Sequence, residues 1–291
     1  MTDVRFDFTG KTALVTGAGS GIGRAIVQEL GASGATVVVS DLDDDACRVV
    51  VDTITTAGGT AWPCAADVAD EDAVKALVDF ARTCGGGLHM AVNNAGIGGP
   101  DLSTGAYPSD AWQQVIDVNL NGVLYGMRWQ IPAMLQTGGA AIVNMSSILG
   151  AVGFAHAAPH VAAKHALLGL TRTAAIEYAA QGVRGNTVGP AFIDTPLLTA
   201  NLTPDVLAAL AARHPIGRIG TPKRCLRWSV SCCRAGRPSS PAAITWSMAA
   251  IPLSDLVHPC ASWPCRRPSG HPPVTHGMPV SVQHEKCRHV M

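Results

Sequence analysis

The first 190 residues alternate short apolar runs with stretches in which apolar side chains recur every three or four positions. Thr12–Thr16 (TALVT), Thr36–Ser40 (TVVVS), Leu88–Val92 (LHMAV), Ala141–Met145 (AIVNM) and Val183–Val188 are short, rich in β-branched residues and apolar without alternation. Strands buried on both faces of a parallel sheet have this pattern, because neither face meets water. A weaker strand is expected at Thr60–Ala65. Between the strands, helical spacing predicts helices over Ile22–Ser33, Asp44–Ala57, Glu71–Arg82, Asp110–Leu135 and Pro159–Gln181; in the last, Val161, Leu167, Leu168, Thr171 and Ala175 share a face. Strand–helix–strand repetition with short links implies right-handed crossovers, hence an α/β fold with a doubly wound parallel sheet and helices on both faces.

After Pro196, a further helix is predicted over Leu197–Arg213, with Thr203-Pro204-Asp205 as an internal start signal. Beyond Pro222 the periodicity stops, and no element is expected there. Composition changes at the same place. Residues 1–222 carry 12 Lys/Arg against 19 Asp/Glu, whereas residues 223–291 carry 9 against 2. Those last 69 residues hold 6 of the 9 Cys and 9 of the 19 Pro but neither Phe nor Tyr. So sharp a break divides the chain into a domain over 1–222 and an irregular, basic, Cys/Pro-rich tail over 223–291. There is no apolar run of 18 residues, which argues against a membrane span. The start has no secretory pattern, and the nine cysteines then read as reduced thiols, which predicts a cytoplasmic location.

Thr16-Gly17-Ala18-Gly19-Ser20-Gly21-Ile22-Gly23 joins the first strand to the first helix. Glycines there allow a tight turn and close approach to a pyrophosphate, whose charge meets the unpaired N–H groups of the helix start. Asp41 ends the second strand, where a carboxylate can accept hydrogen bonds from an adenosine ribose. It would repel a 2′-phosphate, and neither position 20 nor 42 supplies a Lys or Arg, so the expected cofactor is NAD rather than NADP.

With Asn93-Asn94-Ala95-Gly96 after the fourth strand, the chain resembles the classical short-chain dehydrogenase/reductase family over residues 8–222. The matching motifs are TGAGSGIG at 16–23, Asp67-Val68, NNAG at 93–96, Asn119, Ser146-Ser147, Lys164 and Pro190…Asp194-Thr195-Pro196. The resemblance implies a Rossmann-like fold and a hydride transfer between a nicotinamide cofactor and a secondary alcohol or ketone. It implies that Gly17, Ser20, Gly21, Ile22 and Gly23 surround the cofactor, with Asp67 and Val68 at the adenine end. Asn94, Ala95 and Gly96 would line it, Pro190, Ile193 and Thr195 would meet the nicotinamide end, and Lys164 would hold the ribose. It also implies a homodimer or homotetramer. In the family a Tyr exchanges the hydroxyl proton, Lys lowers its pKa, Ser orients the carbonyl and Asn anchors a relay water.

Family spacing from Lys164 and Ser147 puts that Tyr at position 160, and position 160 is His. The catalytic candidates are therefore Asn119, Ser147, His160 and Lys164. An imidazole can exchange a proton near neutrality. Two effects oppose it: its nitrogen lies nearer the backbone than a phenol oxygen, and Lys164 repels an imidazolium where it would stabilise a phenolate. Gly185 and Ala191 also depart from the family pattern; the first is expected to weaken its strand and the second to place a Cβ beside the nicotinamide.

The tail has its own explanation. Reading the third base of each codon with the first two of the next, Lys223–Ser229 permits Ala-Val-Ser-Glu-Met-Val, and Trp246–Ala250 permits Val-Asp-Gly-Gly, with the Met248/Ala249 junction encoding Gly alone. The permitted ending FVTGSYY-x-VDGGY is the family's own. Residues 223–291 are thus expected to be an out-of-frame product that has lost the family's terminal strand and its dimer contact. A zinc site on Cys232, Cys233, His258, Cys260 and Cys265 lacks paired spacing, and Arg266-Arg267 with the scattered basic charge makes no nucleic-acid face, so neither a metal nor nucleic acid is expected. The leading reading is an NAD-dependent oxidoreductase acting on an alcohol or ketone. The alternative is a non-catalytic dinucleotide-binding pseudoenzyme or the product of a decaying gene.

Overall fold

The computed structural model describes residues 6–200, 202–214, 216–234 and 244–247. Seven strands, β1 (Thr12–Thr16), β2 (Thr36–Asp41), β3 (Thr60–Ala65), β4 (Met90–Asn93), β5 (Ala140–Met145), β6 (Val183–Pro190) and β7 (Ile244–Ser247), form one parallel sheet in the order 3-2-1-4-5-6-7. Every residue of β1, β4 and β5 is buried, as their unalternated apolar runs require. Alternate side chains serve opposite layers. Ala13, Val15, Val37 and Val39 pack on the side of α1 (Gly21–Ala32) and α2 (Asp44–Thr56). Leu14 and Val38 face α3 (Glu71–Gly85), α5 (Gly122–Leu135) and α6 (Ala158–Tyr178). Local signals set the helix starts: Asp43 Oδ1 accepts from Ala46 N–H and Asp70 Oδ1 from Asp72 and Ala73 N–H, each using up orphan donors of a first turn.

Several boundaries differ from the sequence reading. The fourth strand starts at Met90, not Leu88, and just before it His89 Nδ1 accepts the Thr12 N–H at 3.1 Å at the entry of β1. The helix expected over Asp110–Leu135 is interrupted. α4 (Ser109–Ile116) leads into a π-helical turn at Asp117–Asn121 before α5 begins. The helix expected from Leu197 to Arg213 is two helices, α7 (Pro196–Thr199) and α8 (Pro204–Arg213), and Thr203 caps the second by accepting from Val206 N–H. Gly185 packs against α6: a Cβ there would sit 3.3 Å from Thr171 O, so its small size serves packing.

The expectations that no element follows Pro222 and that the terminal strand is lost are both corrected, since β7 pairs in parallel with β6 at the edge of the sheet and a helix precedes it. α9 (Pro222–Cys233) buries Cys225, Leu226, Ser229, Val230, Cys232 and Cys233, with Leu226 and Val230 in the same layer as Ile26, Val27 and Leu30 of α1. Its buried positions recur at helical spacing, but only Leu226 and Val230 among them are aliphatic, and cysteines and a serine supply the rest. Arg184 on β6 donates to Cys232 O (2.9 Å), Arg234 O (3.1 Å) and Cys233 O (3.4 Å). A guanidinium there satisfies orphan carbonyls and meets the negative end of the helix dipole. The codon argument for positions beyond 247, and Cys260, Cys265, His258, Arg266 and Arg267, lie outside the described residues.

Candidate active site

The sheet order reverses beside β1, and the carboxyl ends of β1 and β4 open a crevice, the usual ligand position in such sheets. Gly17, Ser20, Gly21, Ile22, Asp41, Asp67, Val68, Asn94, Ala95, Gly96 and Thr195 all line this groove. Gly17 and Gly21 have positive φ, +62° and +53°. A Cβ on Gly17 would lie 2.7 Å from Ala95 Cα, so the two loops touch through backbone alone. Gly23 does not line the groove. A Cβ there would strike Gly17 O, and its role is the close packing of helix on loop. Asn94 Nδ2 donates to Thr16 O (3.0 Å) and Gly17 O (2.9 Å), while Thr16 Oγ1 accepts from Asn94 N–H (3.1 Å), which locks the glycine turn onto β4.

Asp41 holds the far end of the groove. Its Oδ2 accepts from Gly19 N–H (2.9 Å) and Oδ1 from Leu42 N–H (2.8 Å), so the carboxylate is oriented while each oxygen keeps a lone pair for a diol. Ser20, the N-cap residue of α1, makes no side-chain cap, and the first N–H groups of the helix point into the groove's neighbourhood without that competitor. These features fit a dinucleotide: a turn without Cβ obstruction, an uncapped helix start and an acceptor carboxylate at the ribose end.

Ile22, Asn94, Gly96, Thr195 and Leu197 are shared with a second, mostly apolar cavity of about 250 Å³. Ser147, His160, Lys164, Pro190 and Ile193 line it, together with Leu149, Phe154, Phe192, Leu198 and Leu202. Ala191 lines it too, with the methyl group that the sequence places there. Ser147 caps a short 3₁₀ turn, its Oγ accepting from Leu149 N–H (3.1 Å), and keeps its own hydrogen to donate. Lys164 is buried and Nζ donates to Met145 O at 2.8 Å; burial pulls its pKa down to about 8. Ser146 is tied elsewhere, donating to Lys164 O (2.8 Å).

His160 Nδ1 lies 3.1 Å from Ile97 O and 3.4 Å from Asn119 Nδ2. Burial first, and the Lys164 ammonium second, lower its pKa to about 4, against a small raising effect of the Ile97 contact. Asn119 itself is fully buried and does not line the cavity; its side chain is spent on the backbone of Ile97. The π-helical turn, which adds a residue to the helical ring, carries Asn119 at this place, and such turns are frequent at functional sites.

Sequence reasoning missed the support beneath the site. Asn93 Nδ2 donates to Gln130 Oε1 (3.1 Å) and Asn144 Oδ1 (2.8 Å), Gln130 Nε2 returns a bond to Asn93 Oδ1 (2.8 Å), and Asn144 Nδ2 donates to Thr171 Oγ1 (2.8 Å). This buried network ties β4 and β5 to α5 and to α6, the helix that bears His160 and Lys164. Two asparagines inside apolar strands were the available signal, since such residues persist in a core only when satisfied. His156 was also missed. Its φ of +66° is the positive value found outside glycine among the described residues, and its ring pairs with Asp101 at 3.3 Å across the cavity mouth.

A parallel sheet, a glycine turn at its switch point and a Ser–Lys pair opening on an apolar cavity define a dinucleotide-dependent oxidoreductase. The chain belongs to the short chain dehydrogenase family, whose profile matches residues 11–205. It is 46% identical over 216 residues to a cyclohexanol dehydrogenase of Acinetobacter sp. (strain SE19), covering 74% of this chain and 84% of that one. It is 43% identical over 204 residues to a 3β-hydroxysteroid dehydrogenase of Mediterraneibacter gnavus, covering 70% and 73%. Among solved structures, levodione reductase superposes with a TM-score of 0.76 at 27% identity, covering 82% of this chain and 95% of that one. A protein from Beutenbergia cavernae, solved with NADP at low occupancy, reaches 0.76 at 32% identity, covering 84% and 96%. Among the described residues no helix is long and apolar enough to cross a membrane.

Proposed function

We propose that this chain binds NAD and oxidises a cyclic, largely apolar secondary alcohol. The observation that carries the reading is that the cavity lined by Ser147, His160 and Lys164, with its wall of Phe154, Phe192, Leu149, Leu198 and Leu202, shares Ile22, Asn94, Gly96, Thr195 and Leu197 with the groove proposed for the dinucleotide. A pocket so lined recognises shape and apolar surface, and the named relatives act on cyclohexanols and a steroid. Bound NAD would take the hydride from the carbinol carbon. Ser147 donates to the substrate oxygen, His160 exchanges the hydroxyl proton, and Lys164, anchored on Met145 O, reaches a ribose hydroxyl. Pro190, Ile193 and Thr195 would border the nicotinamide end, and Asn94, Ala95 and Gly96 the middle of the cofactor. Asn119 acts through Ile97.

The preference for NAD rests on Asp41. The test is a fluorescence titration of the purified protein with NADH and NADPH: saturable NADH binding and weaker NADPH binding support the assignment, and equal affinities overturn it. Oxidation of cyclohexanol by NAD then tests the chemistry.

His160 favours a second reading, a dinucleotide-binding pseudoenzyme. The two part at His160→Tyr. A dehydrogenase site sound in its other residues gains turnover of about 100-fold on regaining the family acid/base, whereas a pseudoenzyme whose site has decayed beyond position 160 gains none. The same reading places the protein in the cytoplasm as a homodimer or homotetramer. Trp112, Leu124 and Ile176, exposed on α4, α5 and α6, supply apolar surface for that contact, which sedimentation velocity would measure. Residues 1–222 form the cofactor-binding domain, with 223–291 an out-of-frame segment. Sequencing the coding DNA checks this, and a frame that cannot yield the VDGGY ending overturns it.

A further inference from the structure

We infer that His160 serves the cavity solely as a proton acceptor, its Nε2 lone pair facing the substrate hydroxyl while Nδ1–H is committed to Ile97 O. The inference rests on the dehydrogenase reading for its chemistry and on geometry for its proton. A backbone carbonyl can only accept, and Nδ1 lies 3.1 Å from Ile97 O, so Nδ1 carries the hydrogen. Asn119 Nδ2, at 3.4 Å, could donate its second hydrogen to a bare Nδ1, but that tautomer would set the Nδ1 lone pair against the Ile97 carbonyl oxygen at the shorter distance of 3.1 Å, so the carbonyl contact decides. A neutral imidazole has one N–H, which leaves Nε2 as the acceptor. Among the described residues no hydrogen bond reaches Nε2, and His160 lines the apolar cavity.

The ionisable groups lining this cavity with His160 are Lys164, one turn along α6, and the Asp101–His156 pair at its mouth. Asp101 and His156 are more than half exposed and face each other. Lys164 is buried close by and disfavours a second positive charge. With the His160 pKa at about 4, roughly one molecule in a thousand carries the imidazolium at pH 7.

The alcohol O–H bond breaks and its proton bonds to Nε2; the carbinol C–H bond releases its hydride to the oxidised nicotinamide dinucleotide; the carbonyl double bond forms. The imidazolium, disfavoured in its site, then releases the proton to solvent. Reduction of a ketone must start from that scarce imidazolium. A tyrosine differs here, because a phenol enters with its O–H and donates readily at neutral pH.

Two measurements on the full chain test this. Nitrogen-15 NMR of the imidazoles in the cofactor-free protein at pH 7, with His160 assigned by the signal lost in His160→Gln, is expected to show a protonated Nδ1 and a bare Nε2. A protonated Nε2 overturns the inference whatever the protein catalyses. The second is kcat/KM for cyclohexanol oxidation and cyclohexanone reduction from pH 5 to 7.5. Oxidation is expected to be flat and reduction to fall about tenfold per pH unit. Flat reduction with oxidation rising tenfold per unit, the pattern expected for His160→Tyr, overturns it. Absence of turnover in both directions alongside the expected NMR result overturns the dehydrogenase reading and leaves the proton assignment standing.

Discussion

Asn119 clasps the backbone of Ile97: Ile97 N–H donates to its Oδ1 and its Nδ2 donates to Ile97 O, both at 2.8 Å. The pair joins the π-helical turn to the loop after β4, and the same Ile97 carbonyl receives the His160 ring. The position of the imidazole is thus set by a residue that never meets the cavity. Asn119→Ala leaves the Ile97 N–H without its partner and takes one of two donors from the carbonyl. The expected loss is about 2–3 kcal/mol of stability, read by urea unfolding. An unchanged midpoint would show that water replaces the amide at no cost.

Asp41, the proposed ribose contact, has both oxygens already oriented by Gly19 and Leu42. Asp41→Ala is expected to weaken NADH binding about tenfold, because two hydrogen bonds to a diol are lost, and to leave NADPH binding equal or better as the like-charge repulsion goes. Parallel losses for both cofactors in the titration would mean that the carboxylate merely braces the glycine turn.

Acid should unfold the protein in part through His160. Its folded pKa of about 4 lies below the ordinary 6.5, so between these values the unfolded chain binds the extra proton and the folded one does not. The stability this neutral, buried imidazole permits is complete above pH 6.5 and is lost as the pH falls toward 4. The loss is about 2–3 kcal/mol. His160→Gln has no such proton to take up. Unfolding free energies at pH 7 and pH 4.5 should converge between wild type and variant by that amount, relative to their difference at neutral pH. Parallel pH dependence in the two would show that the ring is protonated in the native state.

α9 is expected to be part of the cooperative fold. Leu226 is 7% exposed against the layer of α1. Leu226→Ala should cost about 2–3 kcal/mol, and Arg184→Ala should also destabilise by uncovering the helix's last carbonyls. Thermal unfolding of the two variants checks this; melting temperatures equal to that of the parent would mean that residues 223–234 contribute nothing to the fold.

The amino-acid sequence by itself determined the parallel sheet, its helices and the belonging to the short chain dehydrogenase family. Unalternated strands such as TALVT can be buried only on both faces, and the motifs from TGAGSGIG to Lys164 lie in one order at characteristic spacings. It also marked Asp41, Ser147, His160 and Lys164 as candidates, because chemical type and spacing are local properties. Its limits were those of local information. α9 was not legible because its buried stripe has only Leu226 and Val230 as aliphatic members beside cysteines and a serine, and only the face of α1 and the guanidinium of Arg184 show it to be a docked helix. The break between α4 and α5 depends on how Asn119 meets Ile97, 22 residues away, and the Asn93–Gln130–Asn144 network on contacts across two strands and two helices. The proton on His160 was decided by tertiary structure alone. Sequence can place an imidazole at position 160, but which nitrogen is left bare depends on the carbonyl of Ile97, which the fold brings within 3.1 Å.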